Sequence, residues 1–331
     1  MHYTRLGNTG LKVSVAGLGC GGFSRIGQAG GKTRSESVAI VRRALDLGVN
    51  FFDTAAAYGT ESILGEAISG CDRDEVVLST KATVGSPGDL QSPRDIVASL
   101  DRSLQDLGTE YIDVFHLHGV HPQAYDYASL ELVPALLRER EKGKFRFLGI
   151  TEVPPEDPGH ESLQRAVRAE HFQVCMIAYH MLHQSARTLI FPRTLERGMG
   201  VLIMFAVRLL FSERGRLQSV VDGLVDEGQL PAQLKGRDQP LGFMIHEGGA
   251  RNLIDAAYRF CRHSRGTDVV LFGTGNPDHL ESNIASILSP PLPAVDIRHL
   301  ESIFGRLVGV GLDRPGERAT GLCTSPSRGG K

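Results

Sequence analysis

Apolar and polar positions along this chain follow two different periods. Short apolar runs such as VNFFDT (49–54) and YIDVFHLHG (111–119) are rich in Val, Ile, Leu and Phe, which is typical of strands buried on both faces of a parallel sheet. Between such runs lie amphipathic segments such as 35–47, where apolar residues recur at helical spacing and a glycine follows. The pattern therefore predicts strands that alternate with helices.

Eight strand-and-helix units can be counted from residue 15 onward. The predicted strands are 15–19, 49–54, 75–81, 111–119, 145–151, 172–179, 200–206 and 268–274, and the predicted helices are 35–47, 61–69, 92–107, 130–142, 161–169, 185–197, 249–263 and 277–288. Eight such repeats favour a (β/α)8 TIM barrel, an α/β fold, over the competing doubly wound open sheet. Before them, runs at 3–6 and 11–15 flank a turn with Gly7, Asn8 and Gly10, which predicts an N-terminal β-hairpin.

The chain shows no linker that would divide it into two folding units, so we expect a single barrel domain over residues 1–311. One long connection, residues 207–248, interrupts the repeat and carries a helical pattern around 214–225. Connections of that length are often lids or binding loops. From residue 312 the chain is rich in Arg, Gly, Ser and Pro, and we expect residues 312–331 to form a flexible polar tail.

Composition and charge narrow the classes of function. Hydrophobic residues make up 41% and charged residues 22% of the chain, as in ordinary globular proteins. The formal net charge of −2 gives no reason to expect a nucleic acid or an anionic membrane surface as partner. The five cysteines have no C-x-x-C spacing, so we expect reduced thiols and no zinc site. Without a signal peptide or a membrane-spanning run, we expect a cytoplasmic protein with a small-molecule substrate, and homo-oligomerisation stays open.

Four polar residues fall at or after the ends of three predicted strands. Asp53 follows NFF, and Tyr58 lies in the loop after it. Lys81 ends VVLSTK, and His118 ends DVFHLH. In a barrel of this kind the carboxyl ends of the strands form one rim, which carries the chemistry. Each residue alone has an ordinary explanation, such as a helix cap or a solvated strand end, but together they predict one site.

A phenol beside a lysine is suited to acid–base work on a carbonyl or an alcohol. The unperturbed pKa of tyrosine is near 10, and a neighbouring cation favours the phenolate. Lys81 would supply that cation, Asp53 would hold the ammonium group, and His118 would orient a carbonyl oxygen. We therefore expect Tyr58 to act as the general acid and base.

Several segments, in the same order, resemble one family. They are RLGNTGLKVSVAGLGCGG, FFDTAAAYGTES, VVLSTK, SLQDLGTEYIDVFHLH, GKFRFLGIT and FGTGNPDHLESNIAS. Through them the chain resembles the aldo-keto reductase family over nearly its full length. The resemblance implies a (β/α)8 barrel whose bottom is closed by the N-terminal hairpin. It also implies an NAD(P)(H)-dependent oxidoreductase that transfers hydride between nicotinamide and an aldehyde, ketone, sugar, lactol or alcohol, with Tyr58 as general acid and base.

The resemblance further implies which residues hold the nicotinamide end of the cofactor. Thr151 and Glu152 stand where the family often has Ser-Asn, and Met176 stands where a Gln is common. Phe205 stands where an aromatic residue, usually Tyr, stacks on the nicotinamide ring, and the stacking face survives that change. The full predicted set on this side is Gly21, Gly22, Thr151, Glu152, Met176 and Phe205.

The phosphate and adenine end is expected in GTGNPDHLESN (273–283), where a strand ends and a helix begins. His279 stands where many family members carry an Arg that grips the 2′-phosphate of NADP, and Gly273 stands where many carry a Lys. Without those cations the resemblance does not decide between NADP and NAD as the cofactor. The predicted set on this side is Gly273, Thr274, Gly275, Asn276, His279 and Asn283.

Two other functions agree with parts of the sequence. A Schiff-base aldolase could use Lys81, because a lysine at a barrel strand end can attack a carbonyl. A non-catalytic barrel that binds cofactor as a sensor or subunit would tolerate the altered positions near nicotinamide. Two further histidines, His116 and His121, lie near His118, but no carboxylate or cysteine completes a ligand set, so we expect no metal site.

Overall fold

Eight parallel strands close into a barrel in the computed structural model of this protein, which describes residues 1–313. The strands are β1 (Ala16–Gly19), β2 (Phe51–Asp53), β3 (Val77–Thr83), β4 (Ile112–His118), β5 (Phe145–Thr151), β6 (Val174–Ala178), β7 (Gly200–Met204) and β8 (Val269–Phe272). Each strand pairs with the next along the chain, and β8 pairs with β1 through the register Val270↔Ala16. The predicted (β/α)8 barrel is confirmed.

Helices connect the strands and pack around them. They are α1 (Arg34–Asp46), α2 (Glu61–Ile68), α3 (Pro93–Leu107), α4 (Val133–Glu141), α5 (Glu161–Ala166), α6 (Phe191–Arg197), α7 (Arg216–Asp226), α8 (Leu253–His263), α9 (Pro277–Leu288) and α10 (Ala294–Phe304). Local sequence sets several of their starts. Thr33 and Ser92 form capping boxes at α1 and α3, because each side chain accepts from the N–H three residues later.

Several element boundaries differ from the prediction. The predicted helix 185–197 is divided into Ala186–Leu189 and α6, because Pro192 has no N–H to donate and its ring clashes with the preceding turn. Strand β3 runs on to Thr83, two residues beyond its predicted end at 81. Lys81 therefore lies within the strand and not at its end.

The N-terminal hairpin pairs Tyr3–Arg5 with Lys12–Ser14 in antiparallel fashion. Val13 of the second strand and Leu6, next to the first strand, are buried in one apolar cluster with residues that begin barrel strands, among them Phe51 of β2. The hairpin thus covers the amino-terminal end of the barrel, as predicted. The carboxyl ends of the strands lie at the opposite end, where the loops that carry chemistry in this fold are found.

The long connection 207–248 contains α7, in agreement with the helix predicted around 214–225. Shorter helical turns occur at Leu209–Ser212, Ala232–Leu234 and Gly242–Met244. The connection therefore has secondary structure of its own.

Helix α10 has no counterpart in the sequence prediction. Its buried apolar residues are Leu300 and Phe304, too few to mark a helical period clearly. The tail expected over 312–331 lies outside the described residues, except for Leu312, which is buried, and Asp313, whose carboxylate binds Arg216 at 2.9 Å. Within residues 1–313, no helix combines the length and apolar character needed to cross a bilayer.

Candidate active site

The four predicted catalytic residues meet at the carboxyl end of three neighbouring strands. Asp53 is the last residue of β2 and His118 the last residue of β4, whereas Lys81 lies two residues before the end of β3. Tyr58 ends a single 3-10 turn that follows β2. Gly59 then adopts a left-handed φ of 68°, which lets the chain turn sharply into α2.

Lys81 and Asp53 form a buried ion pair at this rim. The Lys81 side chain has no exposed surface, and its Nζ donates to Oδ2 of Asp53 at 2.7 Å and to the carbonyl oxygen of Thr54 at 2.6 Å. The Oγ of Ser79 donates to the other oxygen of Asp53 at 2.8 Å. Burial is the largest single effect and would lower the pKa of Lys81, but the charge and hydrogen bond of Asp53 together with the neighbouring Tyr58 outweigh it and hold that pKa above its ordinary value. The lysine therefore carries a positive charge.

The ring of Tyr58 lies over this ammonium group, with 5.0 Å between Nζ of Lys81 and the ring centroid. Burial raises the pKa of Tyr58, and the positive charge of Lys81 acts in the opposite direction. At neutral pH the phenol therefore carries a proton that it can donate. The phenolate formed by that donation has a cation beside it.

His118 contacts the hydroxyl group of Tyr58. Its Nε2 lies 3.4 Å from the Tyr58 oxygen, and the two rings are perpendicular with centroids 5.6 Å apart. Burial and the charge of Lys81 lower the pKa of His118 to about 3, so the imidazole is neutral at physiological pH. A neutral ring can present an N–H donor to a carbonyl oxygen placed beside Tyr58.

A cavity of about 630 Å³ opens over Tyr58 and extends to the start of α9. This volume lies in the range of small-molecule and cofactor pockets. Lys81 and His118 are not part of its lining, but they contact the lining residues Asp53 and Tyr58. The predicted site residues in its lining are Asp53, Tyr58, Gly21, Gly22, Met176, Phe205, Gly273, Thr274, His279 and Asn283. The predicted cofactor residues that the lining does not include are Thr151, Glu152, Gly275 and Asn276.

Two glycines of the predicted set are explained by close packing. A Cβ at Gly21 would lie 2.3 Å from Cε2 of Tyr58, so the absence of a side chain lets the phenol ring occupy its place. A Cβ at Gly275 would lie 2.3 Å from Cα of Gly27. Gly275 therefore lets the loop after β1 pack against the loop before α9, outside the cavity wall.

The N-terminus of α9 forms the far end of the cavity. Asn276 caps the helix, because its side chain accepts from the N–H of Asp278 at 2.9 Å, and Oγ1 of Thr274 accepts from the N–H of Asn276 at 3.0 Å. His279 and Asn283, one helical turn apart, both line the cavity. This end offers polar side chains and the positive end of a helix dipole to a phosphate group, so the residues present fit a dinucleotide.

Thr151 and Glu152, at the end of β5, are buried and already hydrogen-bonded. Oγ1 of Thr151 accepts from the N–H of Gly119 at 2.8 Å. Glu152 uses both oxygens, because Oε1 accepts from the N–H of Ala178 at 2.8 Å and Oε2 lies 2.7 Å from Nδ1 of His160. Contacts of these two residues with a carboxamide would compete with the present hydrogen bonds, and they stay predictions.

Arg208 lines the cavity, although the sequence analysis does not single it out. It is 6% exposed, and its guanidinium carbon lies 3.6 Å from the ring centroid of Phe205 and 4.7 Å from that of Phe23. Phe205 has a φ of 69°, a left-handed conformation that is rare outside glycine and is often found at functional sites. The available signal was an arginine just after a barrel strand, where loops line the site.

His116 lies two residues before His118 on the same strand. Its Nε2 lies 3.1 Å from Oγ of Ser79, in the interior of the barrel. Across residues 1–313, no group of three or more His, Cys, Asp or Glu side chains is arranged to hold a metal ion.

Comparison with known proteins gives several partial relatives. L-galactose dehydrogenase of Arabidopsis thaliana is 36% identical over 154 residues, which are 45% of this chain and 48% of that protein. D-threo-aldose 1-dehydrogenase of Pseudomonas sp is 29% identical over 259 residues, 69% of this chain and 75% of that protein. A probable aldo-keto reductase 1 of Glycine max is 26% identical over 205 residues, 60% of this chain and 57% of that protein. The matched segments thus span only about half of the first and third relatives.

A solved structure supports the fold, and a family profile covers most of the chain. The holo form of aldo-keto reductase AKR11C1 from Bacillus halodurans superposes with a TM-score of 0.68 at 24% identity, over 91% of this chain and 96% of that one. The profile of the Aldo/keto reductase family matches residues 17–304. This family and the dehydrogenases named above support an NAD(P)-dependent oxidoreductase. Because the profile match extends over far more than half of the sequence, the chain belongs to the aldo/keto reductase family.

Proposed function

We propose that this protein transfers hydride reversibly between NAD(P)(H) and the carbonyl or alcohol carbon of a small substrate, with Tyr58 as general acid and base. The observation that carries the proposal is the position of Tyr58 between two groups. The Lys81 ammonium lies 5.0 Å from its ring centroid, and Nε2 of His118 lies 3.4 Å from its oxygen. A phenol in this setting can give up and recover a proton at one site.

Each residue of the set has a distinct part in the proposed reaction. In reduction, Tyr58 donates its proton to the carbonyl oxygen, and the charge of Lys81 stabilises the phenolate that remains. Asp53 keeps Lys81 protonated through the 2.7 Å ion pair. His118, neutral at physiological pH, donates from its ring N–H and holds the same carbonyl oxygen. In the reverse direction, the phenolate takes the hydroxyl proton.

The cavity residues would hold the cofactor, which supplies or accepts the hydride when bound. Phe205 offers an aromatic face, and Met176 and Gly21 line the same end beside Tyr58. At the other end, Thr274 and Asn283 line the wall around the start of α9. His279, which stands where many family members carry an arginine, would be the cavity residue that meets a 2′-phosphate. We therefore leave the choice between NAD and NADP open.

For the substrate, we propose a sugar in its lactol form. Support comes from two relatives, which are named as dehydrogenases of L-galactose and of D-threo-aldoses. Oxidation at the anomeric carbon would release the C1 hydrogen as hydride and the hydroxyl proton to Tyr58, with a lactone as product. This reaction requires one proton acceptor beside the anomeric hydroxyl group, and the phenolate of Tyr58 would be that acceptor.

The geometry weighs against the alternative of a Schiff-base aldolase. Lys81 has no exposed surface and is held in its charged form by Asp53, whereas amine attack requires a neutral and accessible nitrogen. Borohydride treatment with candidate substrates should therefore leave Lys81 unmodified.

A substrate panel tests the proposal. Aldoses, simple aldehydes and ketones are offered with NAD, NADP and their reduced forms, and turnover is followed by the absorbance of reduced nicotinamide. We expect turnover with at least one aldose, and its loss in Tyr58→Phe while cofactor binding persists. Cofactor binding without turnover of any substrate, in a wild-type protein whose fold is verified by circular dichroism, would favour the non-catalytic alternative.

A further inference from the structure

His116 and Ser79 extend the hydrogen-bonded set around Asp53. Nε2 of His116 lies 3.1 Å from Oγ of Ser79, and that Oγ lies 2.8 Å from Oδ1 of Asp53. Oδ2 of the same carboxylate binds Nζ of Lys81 at 2.7 Å. A continuous series of contacts therefore runs from His116 to the lysine beside Tyr58.

The chemistry of the partners sets the direction of each hydrogen bond. An ionised carboxylate only accepts, so Ser79 donates its hydroxyl proton to Asp53. The serine oxygen is then an acceptor toward the imidazole, so His116 donates from Nε2. This assigns His116 to the neutral tautomer with its proton on Nε2. Burial, with the charge of Lys81 as a second cause, lowers the pKa of His116 well below its ordinary value, in agreement with a neutral imidazole.

Packing holds the imidazole in this orientation. His116 has no exposed surface and pairs in register with Lys81 of β3 on one side and with Gly149 of β5 on the other. A Cβ at Gly149 would lie 2.2 Å from Nδ1 of His116, so the ring lies against a stretch of backbone that has no side chain. The titratable groups that act on it are Lys81 and His118. The ring is thus fixed by its surroundings and not free to seek other partners.

We propose that His116 and Ser79 are positioning residues for the proton transfer at Tyr58, an inference that rests on the function proposed above. The Ser79 hydroxyl satisfies one oxygen of Asp53 and orients the other toward Lys81. Without that donor, the negative charge of the carboxylate would act more fully on Lys81 and cancel more of its positive field. The phenolate of Tyr58 would then be less stable, and the pKa of Tyr58 would rise.

The test compares Ser79→Ala with a matched control, Ser162→Ala. Ser162 is also buried and donates to a buried carboxylate, Oδ2 of Asp157, at the same 2.8 Å, but it lies in α5 outside the site. In alcohol oxidation, which needs the phenolate, the midpoint of the kcat–pH curve should rise by roughly 0.5–1 pH unit in Ser79→Ala. Below that midpoint kcat should fall by about 3- to 10-fold, because one pH unit corresponds to a tenfold change in phenolate population. KM and the cofactor Kd should stay near the wild-type values, and Ser162→Ala should leave the pH curve unchanged.

Two variants of His116 separate hydrogen bonding from packing. Gln can still donate to Ser79, so His116→Gln should keep a kcat–pH curve close to that of the wild type. His116→Leu should raise the midpoint of that curve as Ser79→Ala does. An unchanged curve in Ser79→Ala, or identical curves for the two His116 variants, would overturn the proposal. If the Leu variant does not fold, Ser79→Ala against Ser162→Ala decides alone. A wild-type protein without nicotinamide-dependent turnover would refute the proposed function instead, so the two failures are distinguishable.

Discussion

The ammonium nitrogen of Lys81 lies 2.7 Å from Oδ2 of Asp53, and neither side chain is more than 6% exposed. Each charge is therefore compensated mainly by the other, because little water can reach them. The same pair adjoins the proposed acid–base residue, so it links the stability of the fold to the proposed chemistry.

Lys81→Met should reduce the kcat of carbonyl reduction by about 10²- to 10⁴-fold, the usual range for loss of effective acid–base catalysis. The physical reason is that burial raises the pKa of Tyr58 and no cation would then oppose it. Steady-state kinetics with reduced nicotinamide measure this loss. A variant that keeps more than about a tenth of wild-type kcat would show that Tyr58 does not depend on Lys81.

Loss of one partner of this buried pair should lower the free energy of unfolding by more than loss of one partner of a surface ion pair. Lys81→Met leaves Asp53 buried and unpaired, which should cost about 3–5 kcal/mol in the free energy of unfolding. Adding Asp53→Asn to Lys81→Met should recover part of that loss, since the uncompensated charge is removed. Urea denaturation of the wild type, both single variants and the double variant measures the coupling. A double variant no more stable than Lys81→Met would contradict the explanation.

Gly21→Ala should impair the proposed reaction by displacing Tyr58. The added methyl group would lie 2.3 Å from the phenol ring, so the ring must move. A displacement of about 1 Å can reduce kcat by about 10²-fold. Gly19→Ala is a matched control in the same segment, because its Cβ would meet its nearest neighbour, the carbonyl oxygen of Phe272, at an ordinary 3.5 Å. Equal kcat values for the two variants would show that the packing of Gly21 against the ring is unimportant.

Much of this site follows from strand periodicity alone. The apolar runs predict the eight strands. Because neighbouring parallel strands end at the same rim of the barrel, they bring Asp53, Lys81 and His118 together there. Side-chain partners from distant segments do not follow in this way. The hydrogen bond from His116 to Ser79 depends on the exact register of β3 and β4, which is set by packing across the whole barrel.

The cofactor end shows the same division between local and tertiary information. The family resemblance predicts Glu152 near nicotinamide, but the pairing of both its oxygens with Ala178 and His160 appears only once β5, β6 and the loop between them are assembled. The place of Arg208 does not follow from the sequence for a related reason. Its burial against Phe205 and Phe23 joins two loops that are far apart in the sequence.

Arg208→Met should weaken cofactor binding. Among the cavity-lining residues of the described chain, Arg208 is the one arginine or lysine, while the cofactor carries several phosphate charges. Loss of a charge-assisted contact of about 1.5–3 kcal/mol would raise the Kd of NADH or NADPH by roughly 10- to 100-fold. Fluorescence titration measures this, with the exposed Arg214→Met of the same connection as control. Matching Kd values in the two variants would place the phosphates away from Arg208.

His180→Gln should make the stability of the protein less sensitive to acid. His180 has no exposed surface, its Nδ1 accepts from the N–H of Leu182 at 3.2 Å, and burial together with Arg208 lowers its pKa to about 3. An unfolded histidine has a pKa of about 6.5, so the unfolded chain binds a proton at this position as the pH falls below that value. The folded protein binds this proton only near pH 3. The free energy of unfolding therefore falls as the pH falls across that window, by up to about 1.4 kcal/mol per pH unit for this one group.

Urea denaturation at several pH values between about 4.5 and 7.5, a range that brackets the ordinary histidine pKa, tests this prediction. The free energy of unfolding should depend less steeply on pH in His180→Gln than in the wild type or in His2→Gln, a control at an exposed site. Parallel curves for all three proteins would mean that His180 is protonated in the folded state or exchanges its proton without cost.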